Sequence, residues 1–218
     1  MAEVNLLKNY PSVKRNISQR AINKTESIRA VARKFGKEYF DGERKYGYGG
    51  FNYHPRFWQG VAQDFQEYYH LTAKSSILDV GCAKGFMMHD FAGLFPGIQI
   101  TGIDISEYAV RHALEDMKSR IRVGNAKKLP YQDKSFDLVI SINTIHNLAL
   151  DECKQALREI QRVKKKHSFI TVDAYRNSEE KKRLEAWNLT ALTYMSVPEW
   201  VKLFHEVGYT GDYWWFIP

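Results

Sequence analysis

The chain has 218 residues, 44% of them hydrophobic and 14% aromatic, which suits one domain with terminal additions and a sizeable core. A formal charge of +7 points to an anionic partner, whether nucleic acid, membrane surface or phosphorylated metabolite, and does not choose among them. No run reaches the roughly 18 apolar residues of a membrane span, the opening "MAEVNLLKNYPSVKR" lacks a signal-peptide pattern, and Cys82 and Cys153 lie far apart without metal-ligand spacing, so the expectation is a cytoplasmic protein with buried free thiols and no metal.

Between about Ser18 and Phe40, Ile22, Ile28, Val31, Ala32, Phe35 and Tyr39 recur at helical spacing, which predicts a basic amphipathic helix broken near Gly36. The stretch "KYGYGGFNYHPRFW" follows, six aromatic rings and three glycines in fourteen positions. It reads as a linker, a base-stacking platform or a lid. The segment "PRFWQGVAQDFQEYYHL" then predicts a helix with Pro55 in its first turn.

From Ser76 onward short β-rich runs alternate with helical ones: "SILDV", "FMMHDFAGLF", "IQITGIDI", "EYAVRHALEDMKSR", "IRVGN", "FDLVISIN", "DECKQALREIQRV", "SFITVDAY". This is the βαβ grammar of a parallel sheet covered by helices on both faces. The basic run Arg162, Lys164, Lys165, Lys166 reads as a solvated turn between a helix and a strand. A polar helix from about Ser178, a helix "VPEWVKLFHEVG" and a terminal strand "DYWWFI" complete the pattern, the last strand expected to pair antiparallel at the sheet edge.

The strongest local signal is "ILDVGCAKG", a strand ending in Asp79 followed by a small-residue turn through Gly81, Ala83 and Gly85 that opens a helix. Small residues let the backbone approach a ligand, and the helix start offers free N–H groups. The spacing is not the G-x-G-x-x-G of a dinucleotide site, which disfavours a dehydrogenase. Asp104 ends the next strand, about twenty residues on, where nucleotide-binding α/β folds place an acid for ribose hydroxyls. Asn125 and Asn143 fall at the ends of two further strands. Carboxyl ends of neighbouring parallel strands converge, so Asp79, Asp104, Asn125 and Asn143 can face one crevice.

This set, in this order, resembles the class I S-adenosylmethionine-dependent methyltransferases, over about Phe57 to the C-terminus. The resemblance implies a Rossmann-like, mostly parallel seven-stranded α/β sheet, with residues 1–58 as a helical extension and aromatic lid and 59–218 as the methyltransferase domain. It also implies S-adenosylmethionine as cofactor, with Asp79, Gly81, Ala83 and Gly85 around the methionine and ribose portions and Asp104 on the ribose hydroxyls. Ile105 would pack on the adenine, and Asn125 with the Ala126 amide would read its edge. Alanine at 83, where the family has glycine, is expected to keep φ negative.

Methyl transfer can proceed largely by alignment and exclusion of water, and a hydroxyl or amine acceptor benefits from a base. His146 after the fourth strand and His54 in the aromatic stretch are the candidate bases, with Tyr46, Tyr48 and Tyr53 as hydroxyl donors. Arg44, Arg56, Tyr175 and Arg176 join Tyr48 and Tyr53 as candidate acceptor-binding residues. Compact size and the lack of a recognition module favour a small anionic acceptor methylated on O or N, such as a phosphorylated or nucleotide-linked sugar. RNA or protein methylation, and a non-catalytic partner protein of this fold, are the alternatives; the expected state is monomer or homodimer.

Overall fold

The computed structural model describes residues 1–11, 17, 21, 24–49 and 52–218. Ser18 and Ile22 of the expected first helix, and Gly50 and Phe51 of the aromatic stretch, lie outside the described residues. Seven strands form one sheet: β1 Ser76–Val80, β2 Gln99–Asp104, β3 Ile121–Val123, β4 Phe136–Ile142, β5 Lys164–Tyr175, β6 Met195–Ser196 and β7 Asp212–Phe216. Their order is β3-β2-β1-β4-β5-β6, with β7 also paired to β5. Among the described residues, the α-helices with continuous ranges are α1 Glu26–Ala32, α2 Lys37–Asp41, α3 Gln59–Tyr69, α4 Phe86–Leu94, α5 Glu107–Arg111, α6 Leu150–Val163, α7 Ser178–Trp187 and α8 Val197–Glu206.

Alternation along the strands feeds two cores, one on each face. On one face Leu78, Val80, Val139, Ile170 and Val172 pack under α6 and α8 with Trp200 and Phe204. On the other, Ile77, Leu138, Ile140 and Phe169 pack under α3 and α4 with Phe65, Met88 and Phe91. Phe65 meets Phe169 and Phe91 edge-on, with centroids 5.0 and 6.0 Å apart.

The last strand runs parallel, not antiparallel as expected. Phe169 aligns with Asp212 and Asp173 with Phe216, both series ascending. The reason is α8: lying between β6 and β7, it carries the chain back across the sheet, so β7 enters from the same end as β5. The outer edge of β7 is covered by the chain's own beginning. Val4 N–H donates to the Tyr213 carbonyl and Tyr213 N–H to that of Ala2, both at 3.0 Å, while the Asp212 carboxylate accepts the Ala2 N–H at 2.7 Å. Leu6 is buried against the α3–α4 core, and Asn9 Nδ2 lies 3.0 and 2.9 Å from the two oxygens of buried Asp64 on α3. Residues 1–58 therefore begin as part of the sheet edge rather than as a helical appendage.

Three further readings are corrected by packing. Lys164–His167 are the first residues of β5, half-buried at Lys164 and exposed from Lys165 to His167, not a turn, and Lys165 and Lys166 flank Asp137 on β4 at 3.6 and 3.1 Å. The segment after β2 is not one helix: α5 stops at Arg111 and a 3₁₀ turn spans Glu115–Arg120, because Leu114 N–H turns to the Lys84 carbonyl at 3.0 Å. Pro55 sits in a turn before α3, which begins at Gln59. The break near Gly36 is present, between α1 and α2, where Phe35 adopts φ 48°. Both cysteines are free and buried.

Phe65 is fully buried between the two helices and β5. Phe65→Ala is expected to lower the free energy of unfolding by about 3–5 kcal/mol, read from the urea midpoint at unchanged m-value.

Candidate active site

The strand order reverses between β1 and β4, the position at which open α/β sheets form a crevice beyond their carboxyl ends. A cleft of about 1500 Å³ occupies that place. Its floor is made by the residues that end β1, β2, β4 and β5; its rim is made by the segment preceding α3.

On the floor, the turn after β1 is held in left-handed backbone at three positions: Gly81 (φ 86°), Ala83 (φ 50°) and Gly85 (φ 80°). Ala83 thus departs from the expected negative φ, at a cost of about 1–2 kcal/mol. What holds it there is Asp104, whose Oδ2 accepts the Ala83 N–H at 2.8 Å while Oδ1 accepts that of Ser106 at 2.8 Å. A Cβ at Gly81 would stand 2.1 Å from Thr144 Oγ1, so only glycine keeps this turn against the β4 loop.

Asp79 is 4% exposed, and its carboxylate has no hydrogen bond among the described residues. Burial, and then the neighbouring Asp104 charge, push its pKa up to about 8. Asp104 is also raised by burial, against which the Ser106 and Ala83 N–H groups act. Two buried acids on one floor favour a cationic ligand. Ile105, next along the wall, is 52% exposed although apolar, an arrangement suited to a flat apolar ligand face. Asn125 and Ala126 line the cleft beyond β3; Asn125 Oδ1 accepts the Lys127 N–H at 3.0 Å, which leaves its amide donors available. Asn143 lines it after β4 with φ 51°, its Oδ1 accepting from Thr171 Oγ1 at 2.9 Å.

Eight of the nine sequence-predicted cofactor residues line this cleft; Gly85 lies behind it in the same turn, where a Cβ would crowd Ile121 and Met117. They fit a sulfonium nucleoside: a cradle closed to a Cβ, a carboxylate with spare lone pairs for a diol, an exposed aliphatic wall and an unpartnered buried acid near the positive groups. The predicted acceptor residues divide. His146, His54, Arg44 and Tyr48 line the cleft. Tyr53 does not: its hydroxyl donates to Asp90 on α4 at 2.6 Å, and its ring lies against His89 at 4.7 Å. Arg56 lies over Phe57 at 4.8 Å; Tyr175 lies under Lys181, and Arg176 stands between Glu3 and Glu180, at 3.8 and 3.9 Å. None of these three faces the cleft.

His146 is buried and its Nδ1 accepts the Asp173 N–H at 2.9 Å, so the ring proton resides on Nε2. Burial lowers its pKa, opposed by the Asp173 charge. Sequence reasoning passed over Asp173, although "TVDAY" repeats the acid-at-strand-end pattern of "ILDV" and "TGIDI". It also passed over Asp41, which grips Lys84 of the turn and accepts from Tyr108 at 2.9 Å, docking α2 beside the cleft. No local sequence signal marks that contact.

The methyltransferase-domain family model matches residues 71–213. The chain belongs to that family. It is 29% identical over 140 residues to the malonyl-[acyl-carrier protein] O-methyltransferase of Legionella pneumophila, covering 62% of this chain and 48% of that protein. It is 32% identical over 126 residues to the demethylmenaquinone methyltransferase of Symbiobacterium thermophilum, covering 54% and 49%. The chain spans about half the length of these curated relatives. Among solved structures, the YcgJ protein from Bacillus subtilis superposes with a TM-score of 0.55 at 21% identity, over 67% of this chain and 66% of that one. That likeness is one of fold alone.

The raised Asp79 has a pH signature. Its protonated form is favoured in the folded chain, so the stability it contributes is complete below pH about 4 and is lost as pH rises through about 8. The urea midpoint of the ligand-free wild type is expected to fall more between pH 5 and 8 than that of Asp79→Asn, and the difference between the two curves isolates this group.

Proposed function

We propose that this member of the family is an S-adenosylmethionine-dependent methyltransferase that methylates an O or N atom of a small anionic acceptor. The observation that carries the transfer reading is the Asp104–Ala83 contact, which sets a Gly81–Gly85 cradle beside two buried carboxylates. The bound cofactor would supply an electrophilic methyl on sulfur. Asp104 would accept from the ribose hydroxyls, Ile105 would lie against the base, and Asn125 with the Ala126 amide would meet the base edge. Asp79 would face the positive end, where a cation restores its ionised form.

The anionic acceptor is supported by charge at the rim. Lys24, Arg33, Arg44 and Lys45 line the cleft, and Arg44 has no ion pair among the described residues. Arginine there suits carboxylate or phosphate contacts. Tyr48, Phe57 and Trp58 supply ring surface that keeps water from the reacting centre. The described parts of this segment, residues 45–49 and 52–58, act as the cover. They are tied down by Tyr48, whose hydroxyl oxygen accepts the Leu189 N–H at 3.0 Å, and by the Tyr53–Asp90 bond. His54 stands at the rim, and His146 on the floor orients the end of β5 through the Asp173 N–H.

Asp104→Ala is expected to weaken S-adenosylmethionine binding by about tenfold or more, measured by calorimetry, with the fold retained by circular dichroism. Because Asp79 ionises when a cation arrives, wild-type binding is expected to release protons and to strengthen from pH 6 to 8, read from the heat difference between two buffers of unlike ionisation enthalpy. Methyl label from the cofactor should enter a small anionic product of a metabolite extract. Label found solely in RNA or protein would refute the acceptor assignment.

A further inference from the structure

Asp173, at the carboxyl end of β5, is 4% exposed and lines the cleft. Apart from the approach of His146 Nδ1 at 3.5 Å, its carboxylate oxygens have no hydrogen bond among the described residues. That approach is not itself a hydrogen bond, because the Nδ1 lone pair is already taken by the Asp173 main-chain N–H at 2.9 Å. The same contact fixes the neutral His146 with its proton on Nε2, so this imidazole has no free lone pair with which to take a proton. It orients the end of β5 instead, together with Trp200, whose Nε1–H donates to the Asp173 carbonyl at 2.9 Å.

Position separates Asp173 from the cofactor acids. β5 lies beyond β4, two strands from β1 and on the side away from β2, so Asp173 stands roughly 10 Å across the sheet from Asp79 at the usual strand spacing. A ligand whose ribose meets Asp104 and whose positive end meets Asp79 leaves Asp173 on the far side, where an acceptor must sit. Asn143 and Thr171 line the cleft between them.

We infer that Asp173 is the acceptor-side proton acceptor of this site, held by His146, and that it selects an acceptor presenting an O–H or N–H at the reacting atom. The inference rests on the methyl-transfer reading. In the step, the O–CH₃ or N–CH₃ bond forms as the methyl–sulfur bond of the sulfonium breaks, its electron pair going to sulfur, and the acceptor proton passes to an Asp173 oxygen. Burial raises the basicity of this carboxylate, while Lys24 favours its ionised form; His146, the other titratable group that faces it, is neutral with its Nδ1 occupied and would add to that only if protonated. Both effects suit a base working near neutrality. An acceptor methylated on carbon, or one lacking a proton there, would leave the buried carboxylate unpaired, a penalty that discriminates between substrates.

The test uses the full chain with methyl-labelled S-adenosylmethionine and a metabolite extract as acceptor source, the labelled product being identified by mass spectrometry and NMR. Asp173→Asn is expected to lower the labelling rate by about 100-fold or more while calorimetric affinity for S-adenosylmethionine stays within about twofold. The wild-type rate should rise with pH as Asp173 ionises, and the residual rate of the variant should lack that limb. Undiminished labelling by Asp173→Asn, a methyl found on carbon, or a rate loss matched by lost cofactor affinity would each overturn the assignment. No label with wild type, despite cofactor binding, would overturn the transfer reading, and this inference with it. Asp173→Glu keeps a carboxylate and should restore part of the rate; a Glu variant that binds cofactor but labels no better than Asn would also count against the inference.

Discussion

The carboxylate of Asp104 accepts the N–H of Ala83 across the ends of β2 and β1, and much of the site depends on that bond. It holds an alanine in left-handed backbone, which aligns Gly81 and Gly85 on either side and sets where α4 begins. The Gly81 and Cys82 N–H groups both turn to the Ile103 carbonyl, at 2.7 and 3.2 Å, so the turn is fastened to β2 by its main chain as well. A glycine at 83 would remove the conformational penalty but widen the unfolded ensemble. Alanine works here because the acid opposite is fixed by Ser106 and cannot drift.

Charge is segregated by depth. Asp79, Asp104 and Asp173 end three strands at the floor, all buried, while Lys24, Arg33, Arg44 and Lys45 stand along the wall and rim. Acids in a low-dielectric floor draw a compact cation inward and are costly without one. Bases at a wetter mouth draw an anion without that penalty. A cationic donor and an anionic acceptor would thus be brought together by opposite fields, and the neutral His146 between them adds no competing charge.

The N-terminal third is bound to the domain at several separated points. Residues 2–4 pair with β7, Asn9 and Lys8 hold Asp64, Asp41 holds Lys84 and Tyr108, and Tyr53 holds Asp90. Each contact joins groups 37 or more residues apart. The described parts of the aromatic stretch are consequently shaped by partners on α4 and after α7 rather than by their own sequence, and Gly47 and Gly49 mark close approaches. A Cβ at Gly47 would meet the Tyr39 carbonyl oxygen at 2.2 Å.

The alternation of strands and helices, the two-faced burial and the Gly81–Gly85 turn are encoded by neighbours in the chain: period-two apolar runs, an acid closing a strand, small residues where the chain must turn. Eight of the nine expected positions line one cleft for that reason. Tertiary structure alone decided the direction of β7, set by the return of α8, and the φ of Ala83, set by a carboxylate twenty-one residues away. It also decided which aromatic and basic residues face the cleft. Tyr53, Arg56, Tyr175 and Arg176 resemble Tyr48 and Arg44 in type, yet partners on other elements hold them elsewhere. Asp173 was written in the sequence as plainly as Asp104, but its want of a partner is a property of space around it, which no local pattern records.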